Sequence, residues 1–233
     1  MYPGPTQASP GEEHADVVIP TKCSVVLDFD GTITEDDLLD TIARDFGDPA
    51  VYQEVEDGLD AGTMPLRDVI TREFEPVTTP LDEVVAWVLE NVRVRAGFRE
   101  FVEQAQAEGW DVHVVSSGFH ELIEPVLDRE GVGVLLHANR VDASPSGWHV
   151  EWRYPDDCDH CGESCKRALL PDGYVVYVGD GYSDRCAALA SDQVFATRGL
   201  ATYLAERGTP FEPFSDFRAL SAAFADGIVT PPS

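Results

Sequence analysis

A chain of 233 residues, 43% hydrophobic and 9% aromatic, can bury one substantial core plus a smaller accessory unit, which excludes the disordered and fibrous classes. Its formal charge of −27, from 43 acids against 16 bases, would repel nucleic acid and anionic lipid, so neither is expected as a partner. An anionic substrate would need a local positive centre, supplied by a lysine or a metal ion, and the acidity otherwise reflects a salty habitat or an acidic proteome.

Residues 1–16 read as a flexible tail, because Pro and Gly crowd its start and no apolar period follows. The tail lacks a basic-then-apolar signal pattern and the longest apolar runs cannot cross a bilayer, so a soluble cytoplasmic protein is expected. Cys23 to Leu27 is a short, β-branched apolar run that predicts a fully buried strand. From Asp36 to Asn91 the pattern turns helical: Leu38, Leu39, Ile42, Ala43 and Phe46 share one face, and so do Leu81, Val84, Val85, Val88 and Leu89. A helix over 98–107 precedes a second buried strand, Val112 to Val115. Val134 to Val141 predicts a third strand, with a hairpin projecting from it at Trp148 to Tyr154. Tyr174 to Val178 and Val194 to Ala196 complete the set. Strands alternating with helices imply right-handed crossovers, a parallel sheet covered on both faces, and functional groups at the carboxyl ends of the strands.

The chemistry-bearing residues fall at those ends. Asp28-Phe29-Asp30-Gly31-Thr32 places two acids at the end of a buried strand, which is more than a turn needs. Gly179-Asp180-Gly181-Tyr182-Ser183-Asp184 repeats the arrangement, although Asp184 is also well placed to cap a helix. Four acids on adjacent strand ends would repel one another unless a hard divalent cation such as Mg²⁺ lay between them. Ser116, with Ser117 and Gly118 behind it, ends another strand where a hydroxyl and backbone N–H groups can hold phosphate oxygens. Lys166, on a short predicted helix, supplies the positive centre.

Taken in order, Asp-x-Asp-Gly-Thr, strand-Ser, Lys and Gly-Asp-x-x-x-Asp over residues 22–217 resemble the phosphatase branch of the haloacid dehalogenase superfamily. The resemblance implies an α/β fold: a Rossmann-like core of residues 17–34 and 95–233, with a central parallel sheet in the order 3-2-1-4-5. A small all-helical C1-type cap over residues 35–94 would follow the first strand. It also implies an aspartyl-phosphate phosphomonoesterase acting on a small phosphate ester. Asp28 would be the nucleophile, and Asp30 the general acid/base. Mg²⁺ would be held by Asp28, Asp30 and Asp180. Phosphate would be held by Thr32, Ser116, Ser117 and Lys166, and Asp184 would act through a metal-bound water or by orienting Lys166. An acid at Asp30 separates a phosphatase from the superfamily's ion pumps and dehalogenases.

The helical insert resembles the cap of the phosphoserine-phosphatase-like subgroup. Asp37 stands where those enzymes carry a substrate-binding Glu, and Ser117 where they carry Gly. Asp37 and Arg72 are therefore candidate substrate contacts, with helix-surface salt bridges the alternative for Arg72 and its neighbour Arg67. Val115-Ser116-Ser117-Gly118-Phe119, the cysteine-bearing segment before Lys166, and Val194-Phe195-Ala196 with Gly199-Leu200 and Pro210-Phe211 are closest to one branch. That branch contains the methionine-salvage phosphatase of 2-hydroxy-3-keto-5-methylthiopentenyl-1-phosphate and the phosphoethanolamine/phosphocholine phosphatases. Choline would ask for an aromatic cage, for which four Trp are available. A phosphotransferase or mutase, and a silent binding protein, are the competing readings. Cys158, Cys161 and Cys165 are spaced for a structural Zn²⁺ with a fourth ligand at His160, His149 or Asp157; free thiols and a disulfide are the alternatives. Cys23 and Cys186 read as small buried hydrophobes, and His113 and His137 as strand residues.

Overall fold

The computed structural model describes residues 22–153, 157–229 and 231, so the expected tail at 1–16 and the end of the expected hairpin at Tyr154 lie outside the described residues. Seven strands form one sheet: β1 (Cys23–Leu27), β2 (Asp111–Phe119), β3 (Leu135–Ser144), β4 (Gly147–Glu151), β5 (Tyr174–Gly179), β6 (Gln193–Ala196) and β7 (Glu212–Pro213). Their order is β4-β3-β2-β1-β5-β6-β7. The five expected strands therefore lie in the expected 3-2-1-4-5 order, but the sheet is mixed, because β4 returns antiparallel to β3 through the Pro145-Ser146 turn. β7 was not anticipated: two residues ending in Pro carry no strand signal.

Alternation sets the two faces of the sheet. Val25, Leu27, Val176 and Val178 turn to one side, against α5 (Phe98–Ala107), α6 (His120–Glu130) and α9 (Phe217–Ala225). Val26, Val115, Val175 and Tyr177 turn to the other, against α7 (Arg185–Ala188) and α8 (Arg198–Arg207). Each such side chain, removed from water, stabilises by about 1.5–3 kcal/mol, which makes this central region the rigid base for whatever stands on the strand ends.

Between β1 and α5 lie four helices, α1 (Leu38–Phe46), α2 (Pro49–Asp60), α3 (Leu66–Phe74) and α4 (Leu81–Asn91). Asp37 and Asp48 start α1 and α2 by accepting N–H bonds from Asp40 and Ala50, and Pro49 suits the first turn, where its missing N–H is not needed. Val84 and Val88 are buried as their periodicity predicts, whereas Leu89 is 37% exposed, since the apolar stripe of α4 is narrower than its sequence suggests. The two ends of this helical segment meet in a small bridge between Thr34 and Val94. The β3–β4 hairpin does not project freely but docks on α3. Trp148 stacks on Phe74 with ring centroids 6.2 Å apart and donates its Nε1–H to the Thr79 carbonyl, and Gly147 leaves room for the Glu75 carbonyl where any Cβ would clash.

Candidate functional site

β1 ends at Asp28, whose backbone N–H donates to the Val178 carbonyl of β5, so the first acid is fixed by the sheet itself. The chain then turns tightly through Gly31 at φ +74°, and a Cβ on Gly31 would overlap the Asp180 carboxylate. Lys166, in a short 3-10 turn at Lys166–Leu169, is only 3% exposed and reaches between Asp28 and Asp184. The Lys166 Nζ lies 2.6 Å from Asp184 Oδ1 and pairs closely with Asp28 Oδ1.

Asp184 is fully buried and fully engaged. Its Oδ1 accepts from Lys166 and from the Tyr177 hydroxyl at 2.7 Å, and its Oδ2 accepts from the N–H groups of Asp180 and Gly181, both at 2.9 Å. Its contact with Lys166 is one that the expected orienting role requires. Ser116 Oγ donates to Asp30 Oδ2 at 2.8 Å and accepts from Gly118 N–H, so it ties β2 to the second acid.

Asp28, Asp30, Ser117, Lys166 and Asp180 line a cavity of about 180 Å³ roofed by α1, α2 and α3. Asp37 lines it too. Thr32 does not: its hydroxyl is buried without a partner among the described residues. Arg72 does not line it either: it lies on the outer surface of α3 in an ion pair with Glu54 at 3.0 Å, the helix-surface salt bridge that is its alternative reading. Arg67 stacks on Trp152 and pairs with Asp157.

The cavity holds groups that the motifs did not reveal: Asp40, Glu56 and Glu73 on the helical segment. Glu73 is 4% exposed and its Oε1 has no hydrogen-bond partner among the described residues. A signal for it existed, because Glu73 falls three residues after Ile70 and four after Val69 on the apolar face of α3. Arg198, in the left-handed region at φ 47°, was also missed; it donates to Asp180 Oδ2 at 3.3 Å.

Charge in this cavity is unbalanced. Burial first, then Asp184, with Asp180 and Asp30 adding, holds the Asp28 carboxyl well above the usual carboxylate range, against the pull of Lys166. Burial pulls the Lys166 ammonium down, but Asp184 and Asp28 raise it further than that, so it stays protonated. Burial and Asp37 push Asp30 up to about 7, against the Ser116 hydrogen bond. Asp37 is pushed up to about 7 by burial and Asp40, Asp40 to about 6 by burial and Glu56, and Glu73 to about 9 by burial and Glu56.

The excess of buried carboxylates over Lys166 and the half-exposed Arg198 is the deficit that a divalent cation would fill. One carboxylate oxygen from each of Asp28, Asp180 and Asp184 falls within 4.8 Å of the others. An all-oxygen donor set of this kind suits Mg²⁺. With Asp184 engaged by Lys166, the carboxylates of Asp28 and Asp180 are the members of this set left more open to a metal.

Glu73 makes a stability prediction. Its carboxyl is raised from an ordinary 4.5 to about 9, so the folded chain holds this proton more tightly than the unfolded one. That contribution is complete below pH about 4.5 and is lost as pH rises through about 9, at a slope approaching about 1.4 kcal/mol per pH unit in between. Thermal unfolding of Glu73→Gln should accordingly decline less steeply between pH 5 and 9 than that of the parent chain; parallel curves would contradict the assignment.

The profile described as haloacid dehalogenase-like hydrolase matches residues 25–189. The chain is 33% identical over 201 residues to the 2-hydroxy-3-keto-5-methylthiopentenyl-1-phosphate phosphatase of Geobacillus thermodenitrificans, covering 82% of this chain and 90% of that one. It is 30% identical over 209 residues to the protein of the same name from Bacillus cereus, covering 84% and 94%. Among solved structures, a phospho-aspartyl intermediate analogue of phosphoserine phosphatase superposes with a TM-score of 0.66 at 17% identity, covering 86% of this chain and 97% of that one. A substrate-bound phosphoserine phosphatase complex gives the same TM-score and identity, covering 87% and 98%. These two speak for the fold.

Proposed function

The chain belongs to the haloacid dehalogenase-like hydrolases and is a phosphoric monoester hydrolase of that type, and from this premise we propose that it hydrolyses a small phosphorylated metabolite through an aspartyl-phosphate on Asp28. The observation that carries the reading is the pair on one loop: Asp28 beside the buried Lys166, and Asp30, hydrogen-bonded by Ser116 and pushed up to about 7 by burial and Asp37. In the first step an Asp28 oxygen attacks phosphorus as the ester P–O bond breaks, and Asp30 gives its proton to the departing alkoxide. In the second, the Asp30 carboxylate takes a proton from a water that attacks phosphorus, releasing phosphate and regenerating Asp28. Lys166 offsets the charge of the phosphoryl oxygens, which Ser116 and Ser117 help hold. The family implies Mg²⁺, which in this site would offset the repulsion between carboxylate and phosphate. The helical segment 35–94 acts as the cap that excludes water and reads the substrate.

The substrate that the relatives are named for, an enol phosphate bearing a keto group and a methylthio tail, suits this roof. Leu39, Leu59, Val69 and Ile70 offer an apolar wall, and a protonated Glu73 can donate to a keto or hydroxyl oxygen. Phosphoserine suits it poorly, since its carboxylate would face Asp37, Asp40, Glu56 and Glu73. The same acids favour a second reading, a phosphoester with a primary ammonium tail. The four Trp build no choline cage there: Trp148 packs on Phe74, Trp87 on Phe46, Trp110 on Tyr174 and Phe224, and Trp152 under Arg67.

A panel of phosphoesters with Mg²⁺ tests the substrate. The enol phosphate is expected to exceed phosphoserine in kcat/KM by more than about tenfold, roughly the discrimination one misplaced polar contact gives. Faster turnover of phosphoethanolamine, lost in Glu73→Gln, would select the second reading.

Asp30 carries its own prediction. For an alkyl phosphate kcat/KM should fall as pH rises above about 7, because the proton needed by the leaving oxygen is gone. Asp30→Asn should lose about 10²–10⁴-fold on that substrate. With p-nitrophenyl phosphate, whose leaving group needs no proton, the variant should still release a stoichiometric burst of phenolate before stalling at the second step. Equal losses on both substrates without a burst would contradict the assignment.

A further inference from the structure

We propose that Cys158, Cys161, Cys165 and Cys186 form a structural zinc site that fastens the Lys166 segment to the helix beginning at Asp184. The four sulfurs come from two parts of the chain, yet one Sγ from each lies within 4.8 Å of all the others, and Cys158 and Cys186 are 3.9 Å apart. None is disulfide-bonded. Tetrahedral Zn–S bonds of about 2.3 Å place neighbouring sulfurs roughly 3.8 Å apart, so the tetrad needs to contract only slightly. A disulfide would instead single out one close pair.

The backbone around Cys158 is shaped for a thiolate. The N–H of His160 donates to Cys158 Sγ at 3.4 Å, and that of Cys161 faces the same sulfur. The turn is closed by Gly162 at φ +71°, with Gly162 N–H on the Cys158 carbonyl and Cys158 N–H on the Glu163 carbonyl. Zinc with four thiolates carries a charge of −2, and in a chain so poor in bases Arg167, Arg185 and Arg207 nonetheless line the cleft containing Cys161, Cys165 and Cys186. Sulfur donors also separate this site from the all-oxygen one, since soft thiolates select zinc and carboxylates select magnesium. Cys186 replaces the fourth ligands expected at His160, His149 or Asp157. Asp157 pairs with Arg67, and His149 lies exposed on β4.

The position of the site gives it a task. Cys165 immediately precedes Lys166, and Cys186 follows Asp184 by two residues, so one ion would hold both partners of the Lys166–Asp184 pair. Residues 157–165 contain no helix or strand to do so. The zinc is a positioning element and takes no part in phosphoryl transfer, so the site stands apart from the choice of substrate.

The test is metal analysis of the full chain, purified reduced from zinc-supplemented cells, beside Cys161→Ser, Cys186→Ser and Cys23→Ser. The expected result is one zinc per chain in the parent and in Cys23→Ser, with a loss of more than about tenfold in the other two. X-ray absorption on the parent protein should show four sulfur neighbours, and cobalt exchanged into it should give intense sulfur-to-metal charge-transfer absorption, so the outcome does not rest on variants that fold poorly. A zinc-free parent protein with freely reactive thiols that takes up neither zinc nor cobalt would overturn the proposal. So would disulfides in the reduced preparation, or full zinc retention in Cys186→Ser.

Discussion

Replacing Asp28 with Asn is expected to lower turnover of any phosphoester by on the order of 10⁴-fold or more, the scale on which removing a covalent nucleophile acts. The amide cannot form the acyl phosphate, and nothing nearby substitutes: Asp184 is held by four hydrogen bonds, and Asp180 sits against Arg198. The fold should survive. Asp28 lies among carboxylates that hold its own pKa high, so deleting its charge relieves repulsion as well as removing a Lys166 partner. An inactive protein with a melting temperature within a few degrees of the parent is therefore the expected pair of results. Retained Mg²⁺-dependent turnover in the pure variant would contradict the role.

Lys166→Met should fail differently. The ammonium is buried between two carboxylates, and breaking a buried ion pair by removing one member costs about 3–5 kcal/mol because the other charge is left uncompensated. For a chain of this size that is a fall of roughly 10 °C in melting temperature. Activity should drop by about 10²–10³-fold, the usual cost of one electrostatic donor aimed at developing charge. Lys166→Arg should not rescue it, since a planar guanidinium cannot reproduce a compact ammonium in this space. Unchanged stability in Lys166→Met would mean that the pair with Asp184 does not anchor this part of the site.

The residues legible in the sequence were those whose oddness is local. Acids closing buried strands at Asp28, Asp30 and Asp180 violate the economy of burial within a few residues, and the alternation of strands with helices carries the central order of the sheet. Less was legible where meaning depends on distant partners. Cys186 reads as packing until the chain returns Cys158 beside it, and the surface ion pair read for Arg72 has no partner until Glu54 is placed. Glu73 lay between: its position on an apolar helix face was visible, but its purpose required the roof of the cavity. Asp184 was recognised as a member of the site, but its contacts with Lys166, Tyr177 and the two backbone N–H groups became visible only in the fold.

The central claim is a covalent phosphoryl group on Asp28, and borohydride trapping tests it most directly. Acid quenching during turnover, followed by reduction, converts an acyl phosphate to the alcohol, so peptide mass analysis should show Asp28 alone converted to homoserine, in proportion to the enzyme occupied. Full hydrolytic turnover with Asp28 unmodified, or with the reduced residue at another position, would contradict the account.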